Sequence, residues 1–207
     1  VSYYSKFGSY FGRLESTGHI MVERQRKQDK LYESEFAFEL GKKILFAKIK
    51  NQEVVLRRYA RNKSEDVTEE IKMTEIFAHK LQVSSSVEQM MGYEGTAAKY
   101  YFKGLSKLVD EKFKFNGRSK RPPRDEFNSM LSLGYAILMN ELYGKIQSKG
   151  LNPYFGFIHK DREKHPTLAS DLIEEWRAVI VAPENRNKII YEVSLNDLAF
   201  MKTFRKN

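Results

Sequence analysis

Between Asp29 and Arg61 the apolar residues recur with a helical period: Phe36, Leu40, Ile44 and Leu45, then Ile49, Val54, Val55 and Leu56. Spacing by three and four places these side chains along one stripe of an α-helix, and a stripe of that length needs other elements to cover it. After the polar break NKSEDVTEE, the same period returns in EEIKMTEIFAHKLQ. Ser86, with Gln89 three residues later, has the layout of a capping box and opens a helix that runs past Phe102. FNSMLSLGYAILMNELYGKI is again apolar at helical spacing, and Gly150 and Pro153 close it. Between these last two helices, FKFNGRSKRPPRDE is a loop, because Gly117 and Pro122–Pro123 forbid a continuous helix.

The two ends differ from this middle. VSYYSKFGSYFGRLESTGHIMVERQR carries Gly8, Gly12 and Gly18 among aromatics. Tyr3, Tyr4, Phe7, Tyr10, Phe11 and Ile20 to Val22 suit short strands separated by turns. Near the other end, Ile189, Tyr191 and Val193 alternate as in a short strand. The expected fold is mainly α. Residues 1–28 form the end of a small β-rich N-terminal domain and a linker, and residues 29–207 form a helical domain. There is no internal repeat.

Composition narrows the classes. With 41% apolar and 30% charged residues the chain is globular. No run approaches the roughly 20 apolar residues of a membrane span, so no membrane is expected. No signal peptide opens the chain, and its first residue is valine, so a longer parent is expected. The absence of cysteine removes disulfides, cysteine-bound zinc and thiol catalysis, and fits a reducing interior. A net charge of +9 fits either a phosphate-rich partner or a basic soluble protein. Arg57, Arg58 and Arg61 follow Lys48 and Lys50 near a helix end. They either complement the helix dipole or track a phosphate backbone.

The densest polar chemistry lies in GFIHKDREKHPTLASDLIEEWR, residues 156–177. Pro166–Thr167 marks a helix start with threonine as N-cap. At 100° per residue, Leu168, Leu172, Trp176 and Val179 gather with Ala169, Ile173 and Ile180 on the buried face. Glu174 lies almost opposite its centre, Asp171 about 60° round on the same polar side, and Glu175 at the border. Asp171 and Glu174 thus share a face, either as a solvated pair or as groups for a metal or a proton relay. His159 ends an apolar run near that helix, where a catalytic and an ordinary buried histidine look alike. His165 precedes a proline in a charged loop and is expected to be exposed. Glu94 stands between Gly92 and Gly95, with Ala97 and Ala98 following. Small residues there either let another backbone close over a hidden carboxylate or flank a solvated one.

Five segments, in order, resemble one family. They are KIKNQEVVLRR (48–58), GYEGTAAKYYF (92–102), RPPRDEFNSMLSLGYAIL (121–138), GLNPYFGFIH (150–159) and LASDLIEEWR (168–177). Together they are similar to the CRISPR-associated integrase, the endonuclease of spacer acquisition, which is the first-numbered Cas protein family. The resemblance runs from about Gly12 to Val181. After Val181 the family's continuing helix is replaced here by Ala182–Pro183.

The resemblance implies a helical catalytic domain with a divalent-metal site built by Glu94, His159 and Glu174. Asp171 and Asn128 would support it. Two carboxylates and an imidazole also suit zinc, but a phosphodiester substrate points to Mg²⁺ or Mn²⁺. The implied reaction is attack of a DNA 3′-hydroxyl on a phosphodiester, or of water in a nuclease reading. Arg57, Arg58, Arg61, Arg121, Arg124, Lys160 and Arg162 would hold double-stranded DNA electrostatically, with Arg118, Lys120 and Lys164 beside them. Tyr100, Tyr101, Tyr135 and Trp176 either stack on frayed bases or belong to the core. A homodimer, a small ferredoxin-like CRISPR-associated partner and a prokaryotic cytoplasmic setting are also implied. The contrasting expectation is a non-catalytic basic helical module that binds DNA.

Overall fold

The computed structural model describes residues 2–4, 10–14, 21–61, 63–120 and 122–181. The expected strand around Ile189 to Val193 and the expected DNA contact Arg121 lie outside these residues. Strands β1 (Ser2–Tyr4) and β2 (Tyr10–Arg13) pair antiparallel, with a bulge between Tyr3 and Tyr4. Six helices follow among the described residues: α1 (Val22–Lys30), α2 (Glu35–Ala60), α3 (Thr68–Gln82), α4 (Val87–Leu108), α5 (Glu126–Ser148) and α6 (Thr167–Val181). The mainly α expectation holds. The strand reading of Ile20 to Val22 does not extend to Val22, which opens α1. That helix runs across the 28/29 position where a domain division was expected.

Local chemistry sets the helix starts. Ser34 is extended and its Oγ accepts from Ala37 N at 3.3 Å, which caps α2. Ser86 caps α4 through Gln89 N at 3.2 Å, but the Gln89 carboxamide reaches Ser85 rather than closing the box on Ser86. Asp125 caps α5 by accepting from Asn128 N at 2.7 Å. Thr167 is the first residue of α6 rather than its cap, and its hydroxyl donates to the His165 carbonyl.

Helix α2 is the axis of the bundle. Ile44, Leu45 and Ile49 pack with Ala78 and Leu81 of α3, Met90 and Ala97 of α4, and Ile158. Further along, Val55 and Leu56 pack with Tyr101, Leu105 and Leu108 of α4, Phe127 and Leu131 of α5, and Ala178 of α6. Each fully buried leucine contributes about 1.5–3 kcal/mol of burial. Gly104 allows the tight crossing: a Cβ there would stand 3.1 Å from Leu56 and 3.2 Å from Glu70 Cβ. Of the two readings of Gly92 and Gly95, the close backbone approach is not found at either, since a Cβ there would meet nothing within 4 Å. Polar Lys48 and Gln52 lie on α2 between the two apolar clusters, and the candidate site forms there.

Helix α6 corrects the single-helix projection. Trp176 and Val179, expected in the core, are 39% and 50% exposed, while Asp171 and Glu174, expected on the polar side, are 0% and 3% exposed. Because α6 packs against both α2 and α5, two sides of it are covered, and one apolar stripe cannot reveal the second.

Candidate metal and nucleic-acid site

The segment carrying His159 is fastened from several directions. Leu168 N donates to the Pro153 carbonyl at 2.9 Å. From α1, Gln28 donates to the Asn152 and Phe155 carbonyls at 2.8 and 2.7 Å and accepts from Asn152 N at 2.9 Å. Gly156 lies so close to α6 that a Cβ would meet Thr167 Cγ2 at 2.5 Å and Asp171 Oδ2 at 2.8 Å.

Asp171 completes this fastening. Its Oδ2 accepts from Phe157 N at 2.6 Å and Ile158 N at 3.0 Å, and its Oδ1 accepts from His159 N at 3.1 Å. His159 Nδ1 also meets Oδ1, at 2.7 Å. A carboxylate accepts, so Nδ1 carries a proton, and in the neutral ring Nε2 keeps its lone pair. This is the arrangement in which an outer carboxylate orients a histidine ligand. Nε2 lies 3.9 Å from Glu174 Oε1.

Glu174 is held by charge. Its Oε1 is 2.7 Å from Arg177 Nη1, and its Oε2 is 2.6 Å from Lys48 Nζ. At that separation the ammonium also donates a hydrogen bond to Oε2. Burial by itself raises the Glu174 carboxyl, but Lys48 and Arg177 outweigh it and hold the group below the usual glutamate range. Lys48 is only 7% exposed and also pairs with Glu94 of α4. Burial lowers its ammonium, yet Glu174 and Glu94 bring it above the usual lysine range. Asn51 Nδ2 donates to the Glu175 carbonyl at 2.8 Å and ties α2 to α6 beside this cluster.

The structure thus gathers Glu94 and Glu174 on one ammonium and puts His159 beside Glu174. Among the described residues, no three of His, Asp and Glu converge closely enough to hold a metal ion as arranged. The donors themselves suit one: two carboxylates share a single cation, and an imidazole is oriented by Asp171 with its Nε2 on the Glu174 side. As a set, two carboxylates supply hard oxygen donors and the imidazole one nitrogen, a chemistry that suits Mg²⁺ or Mn²⁺.

Asn128 does not reach these groups. It is fully buried. Its Oδ1 accepts from Arg118 Nη1 at 2.8 Å and Ser119 N at 3.0 Å, and its Nδ2 donates to Gly117 O at 3.0 Å and Asp125 Oδ2 at 2.7 Å. All four of its hydrogen-bonding positions are therefore spent on the loop before α5. Through that loop it places Arg118, whose guanidinium lies 5.5 Å from the Tyr135 ring centre while that of Arg177 lies 5.1 Å from the same ring.

A cleft of about 860 Å³ adjoins the cluster. Lys48, Lys99, Lys103, Arg118, Lys120 and Arg177 line it, against Glu69 and Glu94. Six cations against two acids make it attractive to phosphate. Tyr100, Tyr101 and Tyr135 also line it, whereas Trp176 does not. Arg118 and Lys120 are among the residues singled out from sequence, whereas the other described basic residues expected to hold DNA lie outside this lining. Arg57, Arg58 and Arg61 are exposed near the end of α2, and Arg57 is paired with Glu53 at 2.8 Å and Glu75 at 3.6 Å. Lys160 and Arg162 are exposed just after His159. Arg124 lines a smaller cavity of about 540 Å³ that shares Arg118 and Lys120. His165, expected to be exposed, is half-buried, with its Nε2 2.7 Å from Ser170 Oγ.

Sequence reasoning missed the roles of Lys48 and Arg177. The signals were present: Lys48 interrupts the stripe of Ile44, Leu45 and Ile49, and Arg177 follows Glu174 by three residues on α6.

The sequence profile described as CRISPR associated protein Cas1 matches residues 1–184. A "CRISPR-associated endonuclease Cas1" of Mycobacterium tuberculosis is 40% identical over 182 residues, covering 87% of this chain and 53% of that protein. One from Thermus thermophilus is 37% identical over 181 residues, covering 87% and 52%. The chain spans about half the length of these relatives. Among solved structures, a chain of a partial Cas6-RT-Cas1–Cas2 complex superposes with a TM-score of 0.72 at 27% identity, covering 95% of this chain and 58% of that one. A casposase bound to integration product gives 0.68 at 26% identity, covering 91% and 54%. A CAS1 protein from Thermotoga maritima shares the fold, with a TM-score of 0.72 at 22% identity. By the profile match over most of its length, the chain belongs to the CRISPR-associated Cas1 family.

Proposed function

We propose that this chain is the catalytic portion of a divalent-metal-dependent DNA integrase and endonuclease that inserts spacers into a CRISPR array. The observation that carries this reading is the Asp171–His159–Glu174 arrangement, with Glu94 drawn to the same point by Lys48. Curated relatives are called endonucleases, and a similar solved chain is a casposase holding an integration product. Both support phosphodiester chemistry for the site.

Glu94, His159 and Glu174 would hold Mg²⁺ or Mn²⁺. The chemistry such an ion supplies is neutralisation of charge developing on phosphoryl oxygens. The chain's own residues do the rest. Asp171 keeps the His159 proton on Nδ1 and presents Nε2. Arg177 and Arg118 flank Tyr135 at the cleft wall, where their charge favours a strand end approaching from the Lys99–Lys103 side. The incoming 3′-hydroxyl would displace a DNA strand at phosphorus, joining one strand as another leaves. Water in the same place would give hydrolysis.

Residues 1–28 would be the end of a β-rich N-terminal domain, of which β1 and β2 form part. A homodimer acting with a small ferredoxin-like partner fits the Cas1–Cas2 assembly named for a similar structure. Glu94→Ala, His159→Ala and Glu174→Ala should each lower Mn²⁺-dependent strand joining by at least about a hundredfold, measured with a labelled duplex, while duplex binding stays within about threefold. Unchanged joining in all three would leave the chain as a basic DNA-binding module.

A further inference from the structure

Lys48 is a buried ammonium whose two partners are the carboxylates offered to the ion. An ammonium and a divalent cation repel strongly at contact distance. The ion can therefore enter only if Lys48 withdraws, and a withdrawing buried ammonium needs somewhere to go. One helical turn along the same side of α2, Gln52 is 4% exposed, and its Oε1 has no hydrogen-bond partner. It lines the same cleft as Lys48. A buried acceptor left unpaired is costly and rare. Residues four apart on a helix stand about 5–6 Å apart at Cβ, within the swing of a lysine stem. The backbone need not follow, because Asn51 pins α2 to α6 through the Glu175 carbonyl.

We propose that Lys48 is a displaceable counter-cation: without metal it holds Glu94 and Glu174 together, and on metal binding it swings along α2 to donate to Gln52 Oε1. This rests on the reading of Glu94, His159 and Glu174 as metal ligands. It explains how two carboxylates stay close without an ion, and why a buried amide oxygen beside them has no partner. Ion entry and ammonium exit are then one exchange, so the occupied acceptor and the repelled charge together set the apparent metal affinity.

The test is Mn²⁺ binding to the full chain, read by the electron paramagnetic resonance of free Mn²⁺. Lys48→Met should bind about tenfold tighter than wild type, because the ion no longer displaces a bound charge. Gln52→Leu should bind about threefold weaker, because the displaced ammonium loses its acceptor. Glu94→Gln separates the two levels. If wild type binds no Mn²⁺, or binds it undiminished after Glu94→Gln, the metal reading fails and the exchange falls with it. If Glu94→Gln abolishes binding but Lys48→Met binds no tighter, the exchange alone is overturned. A crystal of wild-type protein with Mn²⁺ decides the matter even if Lys48→Met does not fold. Lys48 Nζ within hydrogen-bond distance of Gln52 Oε1 is expected, and Nζ still on both carboxylates beside the ion overturns the proposal.

Discussion

Asp171 and Glu174 are both buried, both acidic and less than one turn apart on α6, yet they are held in opposite ways. Asp171 accepts three backbone N–H groups and an imidazole N–H. Its partners are fixed by the chain path, so the carboxylate behaves as scaffold. Glu174 is held by the ends of Lys48 and Arg177. Its partners sit on rotatable stems and can be exchanged. In the proposed metal site the fixed carboxylate would aim the histidine and the loosely committed one would meet the ion.

The largest expected effect separates them directly. Asp171→Ala strands three backbone donors in a buried place and should cost about 3–5 kcal/mol. Glu174→Gln keeps a polar group near Arg177 and leaves Lys48 its pairing with Glu94, so about 1–2 kcal/mol is expected. Urea midpoints at unchanged slope, in chelator, measure both. Equal costs, or the reverse order, would break the comparison.

That contrast was only partly legible in the sequence. The Ser86 cap and the proline loop before α5 were readable, because caps and breakers act locally. Bringing Glu94, His159 and Glu174 into one site came from family resemblance, not from periodicity. The polar-face reading of Asp171 and Glu174 failed for a physical reason: α6 is covered on two sides, and its exposed strip carries Trp176 and Val179. Asn128 was expected to support the candidate ligands, but its hydrogen bonds turn it toward Arg118 and Gly117. Lys48 was counted as one more base in a row, because its partners lie on α4 and α6, far along the chain. Gln28 drew no notice, since a carboxamide clamp on the 152–155 segment has no local signature.

A third buried carboxylate tests whether the distinction is general. Glu70 of α3 is fully buried, and Lys107 and Lys103 of α4 approach its Oε1 at 2.8 and 3.0 Å. It belongs with Glu174 as a charge-held group. Burial raises its carboxyl, but the two lysines outweigh this and leave it below the usual glutamate range. A carboxyl depressed on folding stabilises the protein above its unfolded value, roughly 4.3, and that stability is lost as pH falls through the folded value. The melting temperature of wild type should therefore fall more steeply than that of Glu70→Gln below about pH 4.3. Both half-exposed lysines are screened, so the difference should stay under about 1 kcal/mol and shrink in salt. Parallel acid limbs for the two proteins would remove Glu70 from the charge-held class.

The smallest effect lies where charge-held pairing reaches the surface. Arg57 is about half exposed at its side chain and pairs with Glu53 and Glu75. Arg57→Ala should change stability by no more than about 0.5 kcal/mol. Its charge is already answered by two acids and lies outside the basic cleft, so its loss should leave the salt dependence of duplex binding nearly unchanged. Lys99 is exposed and lines the cleft. Lys99→Ala should lower the slope of log affinity against log salt by about one. Titrations of a fluorescent duplex at several salt concentrations compare the two. A larger loss for Arg57 than for Lys99 would move the DNA path from the cleft to the end of α2, as the run of arginines there suggests when read without its partners.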